Sequence, residues 1–159
     1  MTKISRRALL ATAAVLGATA AFAKAPSASR SAWREARQLF PEGVASGDPD
    51  STSVILWTRR PFDAGAKVAR LIVEVAEDRD FHHVVVHTKT NVLEESDWTA
   101  RVLVGGLRPA TEYWYRFTDA YGNGSRIGRT ITAPLDDDPR RVNFAFVSCQ
   151  NANYGAQNA

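Results

Sequence analysis

Short apolar runs alternate with clusters of turn residues from residue 40 onward, and the runs recur at intervals of about 8 to 14 positions. The clearest run covers residues 68–76, where every second side chain from Ala69 to Val75 is apolar while Arg70 and Glu74 fall on the opposite face. A period of two is typical of a β-strand with one buried face, because successive side chains of a strand point to opposite sides. The pattern therefore predicts an all-β domain built from short strands.

Seven runs of this kind lie within residues 40–133. They are predicted as strands over residues 42–46, 53–58, 68–76, 84–88, 99–104, 112–119 and 125–132. Turn residues separate the runs: residues 47–50 read Gly-Asp-Pro-Asp, and residues 121–124 read Tyr-Gly-Asn-Gly, which favours a hairpin because Gly and Asn accept a positive φ. Seven strands in about 90 residues is the size of an immunoglobulin-like or fibronectin type III sandwich.

One segment favours the fibronectin variant. Residues 106–115 read GLRPATEYWY, in which Leu107, Pro109 and Tyr113 match the L-x-P-x-T-x-Y signature of fibronectin type III domains. In this tyrosine corner we expect the Tyr113 ring to fill the core edge while its hydroxyl bonds the upstream backbone. Trp57, on the second predicted strand, is expected to be the matching core tryptophan, and an aromatic ligand platform is the alternative interpretation. The single cysteine, Cys149, excludes an internal disulfide of the immunoglobulin kind.

The amino terminus has the pattern of an export signal. Arg6 and Arg7 precede an uncharged, alanine-rich run over residues 8–23, which ends in Ala-Phe-Ala at Ala23, and a second cleavage site follows Ala25. A paired arginine before such a run predicts a twin-arginine signal peptide over residues 1–25. An ordinary secretory signal or a membrane anchor is the alternative, although the run is shorter than the roughly 20 residues that span a bilayer.

The region after the signal is predicted to be a leader over residues 26–39. Its first part is polar and rich in small residues, so we expect it to be flexible, and residues 33–40 are predicted to form a turn or two of helix. No further transmembrane segment is expected in the mature chain.

The net charge of +3 belongs to the signal peptide. Lys3, Arg6 and Arg7 lie before the cleavage sites, where there is no acidic residue, and removing these 3 from 20 basic residues leaves 17 against 17 acidic ones. A neutral mature chain lacks the dense basic surface on which nucleic-acid binding depends. We therefore expect no nucleic-acid partner.

Three histidines are the candidate metal ligands of the predicted sandwich. His83 and His87 point the same way on a strand but stand about 13 Å apart, whereas Zn–N bonds are near 2.1 Å, and His82 faces the other side. We expect these histidines to be exposed polar positions. The acidic run at residues 136–138 lies between Pro134 and Pro139 and matches no EF-hand spacing, so residues 134–140 are predicted to be a stiff, charged linker.

A different pattern follows the linker. Residues 141–150 form a nearly continuous apolar run, which is typical of a strand buried on both faces of an α/β layer sheet. Cys149 lies at its carboxyl end, where ligand sites of such sheets are found. The sequence stops nine residues after Gln150, so we expect it to be the amino-terminal piece of a longer protein.

Several segments together resemble the PhoD-like alkaline phosphatases. They are FPEGVASGDP at 40–49, VILWTR at 54–59, LRPATEYWYRF at 107–117 and FVSCQ at 146–150. The resemblance implies that residues 141–159 begin a metallophosphoesterase domain that hydrolyses phosphate mono- and diesters with iron and calcium, in a periplasmic or secreted enzyme. It also implies that Cys149, at the S-C-Q position, is an iron ligand and that the catalytic residues lie beyond Ala159.

The match extends to Gly155, whereas Ala156 and Gln157 stand where the family commonly has aromatic residues. We expect the piece itself to be inactive. Two other interpretations stay open: an exported fibronectin-like binding or adhesion module without catalysis, and a sandwich that persists without function.

Overall fold

The computed structural model describes residues 19–62 and 65–141 together with Asn143 and Ala145. This part of the chain forms a two-sheet β-sandwich, as predicted. Its strands are β1 (Thr19–Phe22), β2 (Arg34–Glu35), β3 (Val44–Gly47), β4 (Ser53–Arg59), β5 (Val68–Ala76), β6 (Val84–Leu93), β7 (Thr99–Gly105), β8 (Glu112–Asp119), β9 (Asn123–Gly124) and β10 (Gly128–Ile131). Two short 3₁₀ helices cover Arg37–Leu39 and Glu94–Ser96.

The first sheet has the strand order β1-β7-β4-β3, and the second has the order β2-β9-β8-β5-β6 with β10 also paired to β8. The pairs β1–β7 and β2–β9 are parallel, and the other strand pairs are antiparallel. Without β1 and β2, three strands face five, and two of the five, β10 and β9, lie within and directly before the single seventh strand that the sequence predicts. The chain connections cross between the sheets. This is the fibronectin type III arrangement.

The core lies between the inner faces of the two sheets. Alternate positions of each long strand are buried there: Val54 and Leu56 of β4, Leu71, Val73 and Val75 of β5, Ala100, Val102 and Val104 of β7, and Tyr113, Tyr115 and Phe117 of β8. Burying a large apolar side chain stabilises the fold by about 1.5–3 kcal/mol, so these positions dominate the stability of the sandwich.

Strands β5 and β8 begin and end where the sequence predicts, while the last predicted strand is divided. Between β9 and β10 the ladder of β8 is interrupted, because the Phe117 amide donates to the Ser125 hydroxyl at 3.0 Å. The Ser125 side chain thereby accepts the Phe117 amide, which a backbone carbonyl would accept in a regular ladder. The first predicted strand starts later, at Val44, because Gly43 takes a φ of +71° in a turn closed by its amide and the Phe40 carbonyl.

Trp57 does not occupy the core. Its neighbours Leu56 and Thr58 are buried, whereas Trp57 is partly exposed on the outer face of the first sheet, opposite Ala45 of β3 and Arg101 of β7. The prediction of a core tryptophan at this position is wrong. Both faces of β4 are apolar, so the period of two does not decide which face turns inward.

The leader is paired with the sandwich through backbone hydrogen bonds. Residues 24–36, which we call the belt, run along the edge of β6 and then across the outer face of the second sheet. The Ser27 amide donates to the Val84 carbonyl at 3.0 Å, and the Ala36 amide donates to the Gly124 carbonyl at 2.9 Å. Of the turn or two of helix predicted over 33–40, one 3₁₀ turn is present at Arg37–Leu39, because Arg34 and Glu35 pair with β9 instead.

Strand β1 lies immediately before the belt and within the predicted signal peptide. Ala21 is buried opposite Val104, and the Ala23 amide donates to the Gly105 carbonyl at 2.8 Å. Cleavage after Ala23 would therefore separate β1 from the belt, and cleavage after Ala25 would also remove the first two residues of the belt. Arg6 and Arg7 lie outside the described residues.

The linker leaves the sandwich beside the turn between β3 and β4. The Ala133 amide donates to the Asp50 carbonyl at 3.1 Å, and Arg140 and Asp138 form an ion pair at 2.7 Å farther along. Cys149 and most of the strand predicted from residue 141 lie outside the described residues.

Candidate functional site

The tyrosine corner links β7 to β8. The Tyr113 hydroxyl accepts the Arg108 amide at 2.9 Å, and the Thr132 hydroxyl donates to the Arg108 carbonyl at 2.6 Å. Leu107, beside it, is buried in the core, while Pro109 is in the connecting turn. This is the geometry that the signature describes, and it pins the crossover between the sheets rather than forming a ligand site.

The belt covers a buried ion pair on the outer face of the second sheet. Both Nε and Nη2 of Arg116 donate to Oε2 of Glu74, at 2.9 and 2.8 Å. The other carboxylate oxygen accepts the hydroxyls of Ser29 and Ser31, at 2.6 and 3.0 Å. The side chains of Glu74 and Arg116 are 1% and 9% exposed, so the belt supplies the donors that water would otherwise provide.

Two aromatic rings enclose the same guanidinium group. The Arg116 carbon Cζ lies 3.9 Å from the Phe81 ring centre and 5.1 Å from that of Trp33, distances typical of cation–π contacts. The sequence reveals Glu74 as a polar position of β5, but no local pattern pairs it with Arg116 or with the belt. The sequence alone therefore does not predict this cluster.

A second buried ion pair joins the start of the β4–β5 connection to the end of β8. Nη2 of Arg60 donates to Oδ2 of Asp119 at 2.9 Å, and the Phe62 ring centre lies 4.2 Å from the guanidinium carbon. Burial alone would raise the pKa of Asp119, but hydrogen bonds from Asn123, Arg60 and the backbone outweigh it and hold that pKa below its usual range. Asp119 is therefore a structural anion at neutral pH and not a general acid.

Ser31 and His87 resemble a nucleophile beside a base, at 3.3 Å between Oγ and Nε2. A hydroxyl has one hydrogen, and that of Ser31 is donated to Glu74. His87 must then donate to the serine oxygen, so it does not withdraw the proton. The arrangement holds the belt in place and does not activate a nucleophile.

The described residues contain one group with the proximity needed to hold a metal ion: Asp78, Asp80 and His82. The Asp78 carboxylate already accepts the backbone amides of Asp80, His82 and His83, at 2.7 to 3.0 Å. Burial alone would raise the pKa of Asp78, but the hydrogen bonds from His82 and His83 outweigh it and hold that pKa below its usual range. The group is a turn closed by a carboxylate, and it does not fit an iron or calcium site.

His82, His83 and His87 are all exposed, as the sequence predicts. His83 lies just before β6 rather than within it, and its Nδ1 is 3.3 Å from Asp78 Oδ2. The three histidines are not brought together around one point.

A shallow groove of about 270 Å³ lies between the edge strands β3 and β10. Ser46, Gly47 and Pro49 form one side, and Arg129 to Ile131 form the other. The Tyr115 hydroxyl reaches Ser46 across the gap between the sheets, and burial raises the pKa of Tyr115 to about 12. A phenol with this pKa stays protonated at neutral pH, so it provides no base here.

The outer face of the first sheet has no cover like the belt among the described residues. Ile55 and Trp57 of β4 and Leu103 of β7 lie on this side, next to the small residues Ala45 and Gly47 of β3. We call these five residues the β4–β7 face. Arg59, at its rim, pairs with Glu42 at 3.1 Å and with Asp97 at 2.8 Å.

Comparison with known proteins identifies the family to which the sandwich belongs. A family model described as "PhoD-like phosphatase, N-terminal domain" matches residues 24–134. The chain belongs to this family. The resemblance seen in the sequence motifs is confirmed, and the matched region includes the belt together with β2 to β10.

Two PhoD proteins are similar to this member of the family. Alkaline phosphatase D of Bacillus subtilis (strain 168) is 35% identical over 123 residues, covering 73% of this chain and 21% of that protein. A solved structure of PhoD has a TM-score of 0.57 and 35% identity, covering 60% of this chain and 19% of that one. The chain thus spans about a fifth of the length of the curated relative it matches.

Other solved structures are more distant. The sixth fibronectin type III domain of human fibronectin type III domain containing protein 3 has a TM-score of 0.44 and 14% identity, covering 72% of this chain and 98% of that domain.

Within the residues that the structure describes, we find no helix with the length and apolar character needed to cross a bilayer.

Proposed function

We propose that this chain is the amino-terminal part of an exported PhoD-like phosphatase that hydrolyses phosphate mono- and diesters. The observation that carries the proposal is the match of the family model over the whole sandwich, together with 35% identity to an alkaline phosphatase. The described residues contain structural ion pairs and the Asp78 carboxylate, which is already hydrogen-bonded to the backbone of its own turn. They do not place a nucleophile beside a base. Catalysis is therefore assigned to a domain that follows the linker.

Cys149 is the residue of this chain proposed to take part in that catalytic site, as an iron ligand. In the full-length enzyme, iron and calcium would neutralise the phosphate oxygens and lower the pKa of bound water. A cysteine binds metal as the thiolate, which a neighbouring cation favours. The sandwich itself would hold or shield that domain.

The test uses the full-length protein and its Cys149→Ala variant. We expect the variant to lose bound iron, measured by metal analysis, and at least about tenfold in the turnover of a nitrophenyl phosphate mono- or diester. Tyr121→Phe, at an exposed position remote from the linker, is the control and should change neither value. Full iron content and full turnover in Cys149→Ala would contradict the proposal, as would turnover by the 159-residue chain alone.

Export by the twin-arginine route is the second part of the proposal. Arg6 and Arg7 precede the uncharged run, and the family match starts at residue 24, directly after the Ala-Phe-Ala sequence. Replacing both arginines by lysine should leave the protein in the cytoplasm, and sequencing the exported form should give an amino terminus after Ala23 or Ala25. Export of the double-lysine variant in normal amount would contradict this route.

A further inference from the structure

We propose that the β4–β7 face is the surface on which the domain following the linker packs in the full-length protein. The inference rests on the proposed function, because it assumes that such a domain follows. It starts from an asymmetry: the belt covers the outer face of the second sheet, whereas the described residues place nothing comparable over the outer face of the first.

The composition of the face indicates an interface. The outer side of an antiparallel sheet that faces water is normally polar. Here Ile55 lies directly opposite Leu103 in the ladder, and Trp57 follows Ile55 on the same side, which gives a continuous apolar strip across two strands. Leu103 is 38% exposed, a large fraction for a leucine in the middle of a sheet.

The neighbouring strand allows a close approach to this strip. Ala45 lies opposite Trp57 and Gly47 lies opposite Ile55, and both β3 residues are exposed. A methyl group added at Gly47 would meet no atom within 4 Å. Small residues beside a tryptophan leave a recess that a side chain of a partner can fill, and tryptophan is enriched at the energetic centres of interfaces.

The rim of the face is charged, as interfaces commonly are. Arg59, with its partners Glu42 and Asp97, borders one end, and Arg101 is exposed beside Trp57. An apolar centre with a polar rim is the usual anatomy of a protein–protein contact, and arginine is enriched in such contacts.

The position of the chain exit selects the following domain as the occupant. Ala133 pairs with Asp50, in the turn that joins β3 to β4, so the linker starts at the end of the same sheet. Residues 134–140 extend at most about 25 Å, which is comparable with the roughly 23 Å length of β4. A domain tethered there has a high effective concentration at the face. The curated relative is about five times longer than the matched segment, so there is enough chain to form that domain.

Hydroxyl-radical footprinting compares side-chain reactivity in the full-length protein and in the 159-residue chain. We expect the labelling rates of Trp57 and Leu103 to fall by about fivefold in the full-length protein. Val68 and Tyr121, exposed elsewhere in the sandwich, are the internal controls and should react equally in both. Equal rates at Trp57 in the two proteins would overturn the proposal. Protection that rises with concentration in the 159-residue chain would also overturn it, because a second copy would then be the occupant.

A pair of variants adds a functional readout. In the full-length protein, Trp57→Thr should increase trypsin cleavage after Arg140 and Arg141 by about tenfold, because an undocked domain leaves the linker accessible. Val68→Thr removes an exposed apolar side chain of the second sheet, away from the β4–β7 face, and should leave cleavage unchanged. Unchanged cleavage in Trp57→Thr would contradict docking. Neither readout uses catalysis, so protection without ester hydrolysis would contradict only the proposed function, and hydrolysis without protection would contradict only the docking.

Discussion

At the residue scale, the sandwich keeps charge inside the protein by surrounding it with donors. Glu74 accepts two guanidinium hydrogen bonds on one carboxylate oxygen and two hydroxyl hydrogen bonds on the other, so both oxygens are fully hydrogen-bonded. Phe81 and Trp33 then cover the charge on Arg116. Removing one member leaves the opposite charge buried without compensation, which is the costly event in such a pair.

We therefore expect Glu74→Gln to lower the free energy of unfolding by about 3–5 kcal/mol, measured by urea denaturation. Glu77→Gln is the matched control, because Glu77 lies directly after β5 and pairs with the exposed side chain of Arg108. Loss of this exposed pair should change the free energy of unfolding little. In a double-mutant cycle, adding Arg116→Met to Glu74→Gln should recover part of the loss. Equal effects of the Glu74 and Glu77 substitutions would show that burial of the pair is unimportant.

Asp119 is a buried contributor to the pH dependence of stability. Its pKa is held below the usual 3.8 in the folded state, so the folded state favours the ionised carboxylate. The stabilisation is complete above the unfolded pKa and is lost as the pH falls through the folded pKa. Urea denaturation between neutral pH and about pH 3 should show stability falling towards acid, and Asp119→Asn should flatten that dependence. An unchanged acid slope in Asp119→Asn would contradict this assignment.

At the scale of elements, the close approach of β8 and β10 depends on glycine. A Cβ on Gly128 would lie 2.3 Å from Cζ of Tyr115, whose ring occupies the space above this strand. The tyrosine ring is buried and cannot move aside without disturbing its contact with Ser46. Here the identity of one residue in an edge strand is dictated by a side chain on its neighbour.

Gly128→Ala should consequently destabilise the protein by about 1–3 kcal/mol through overpacking. Gly47→Ala is the control, because it is also a strand glycine but has open space around the added methyl group. Thermal unfolding monitored by circular dichroism measures both. A loss of the same size at Gly47 would indicate that the Tyr115 ring does not set the cost, because the entropy change of a Gly→Ala substitution by itself favours the folded state.

The predicted strand bounds are correct where apolar side chains recur at every second position. The prediction is wrong where hydrogen bonds from neighbouring strands, and not the local pattern, set the backbone. In β5 every second residue from Ala69 to Val75 is apolar and Arg70 and Glu74 mark the opposite face, and the predicted bounds are the observed ones. In the belt, small polar residues gave no period, and their order comes from backbone pairing with β6 and β9. A segment without a pattern of its own is ordered by the strands beside it, and this is not visible in its sequence.

At the scale of the whole molecule, the proposed processing removes β1 and no other strand of the part of the chain that the structure describes. Strand β1 pairs with β7 alone within its sheet, and the remaining strands retain both inner faces of the core. A chain starting at Lys24 loses the packing of Ala21 and a short parallel ladder, and it exposes the edge of β7. Unpaired edges promote association with other strands.

Deleting residues 1–23 should thus leave a folded sandwich whose free energy of unfolding is lower by about 1–2 kcal/mol. Circular dichroism and urea denaturation measure the change, and sedimentation tests for association through the new edge. A chain starting at Lys24 that fails to fold would show that β1 is an essential part of the sandwich and would contradict cleavage at Ala23.

The all-β class, most strand positions, the tyrosine corner at Tyr113 and the family can be predicted from the sequence alone, because these follow from local alternation and from fixed spacings. The tertiary structure decided which face of β4 is the core, since Val54 and Leu56 on one side and Ile55 and Trp57 on the other are equally apolar. Only the opposing sheet distinguishes them, by covering one side. The same holds for Glu74 and Arg116, which are 42 positions apart and become a pair only when β5 and β8 lie in register.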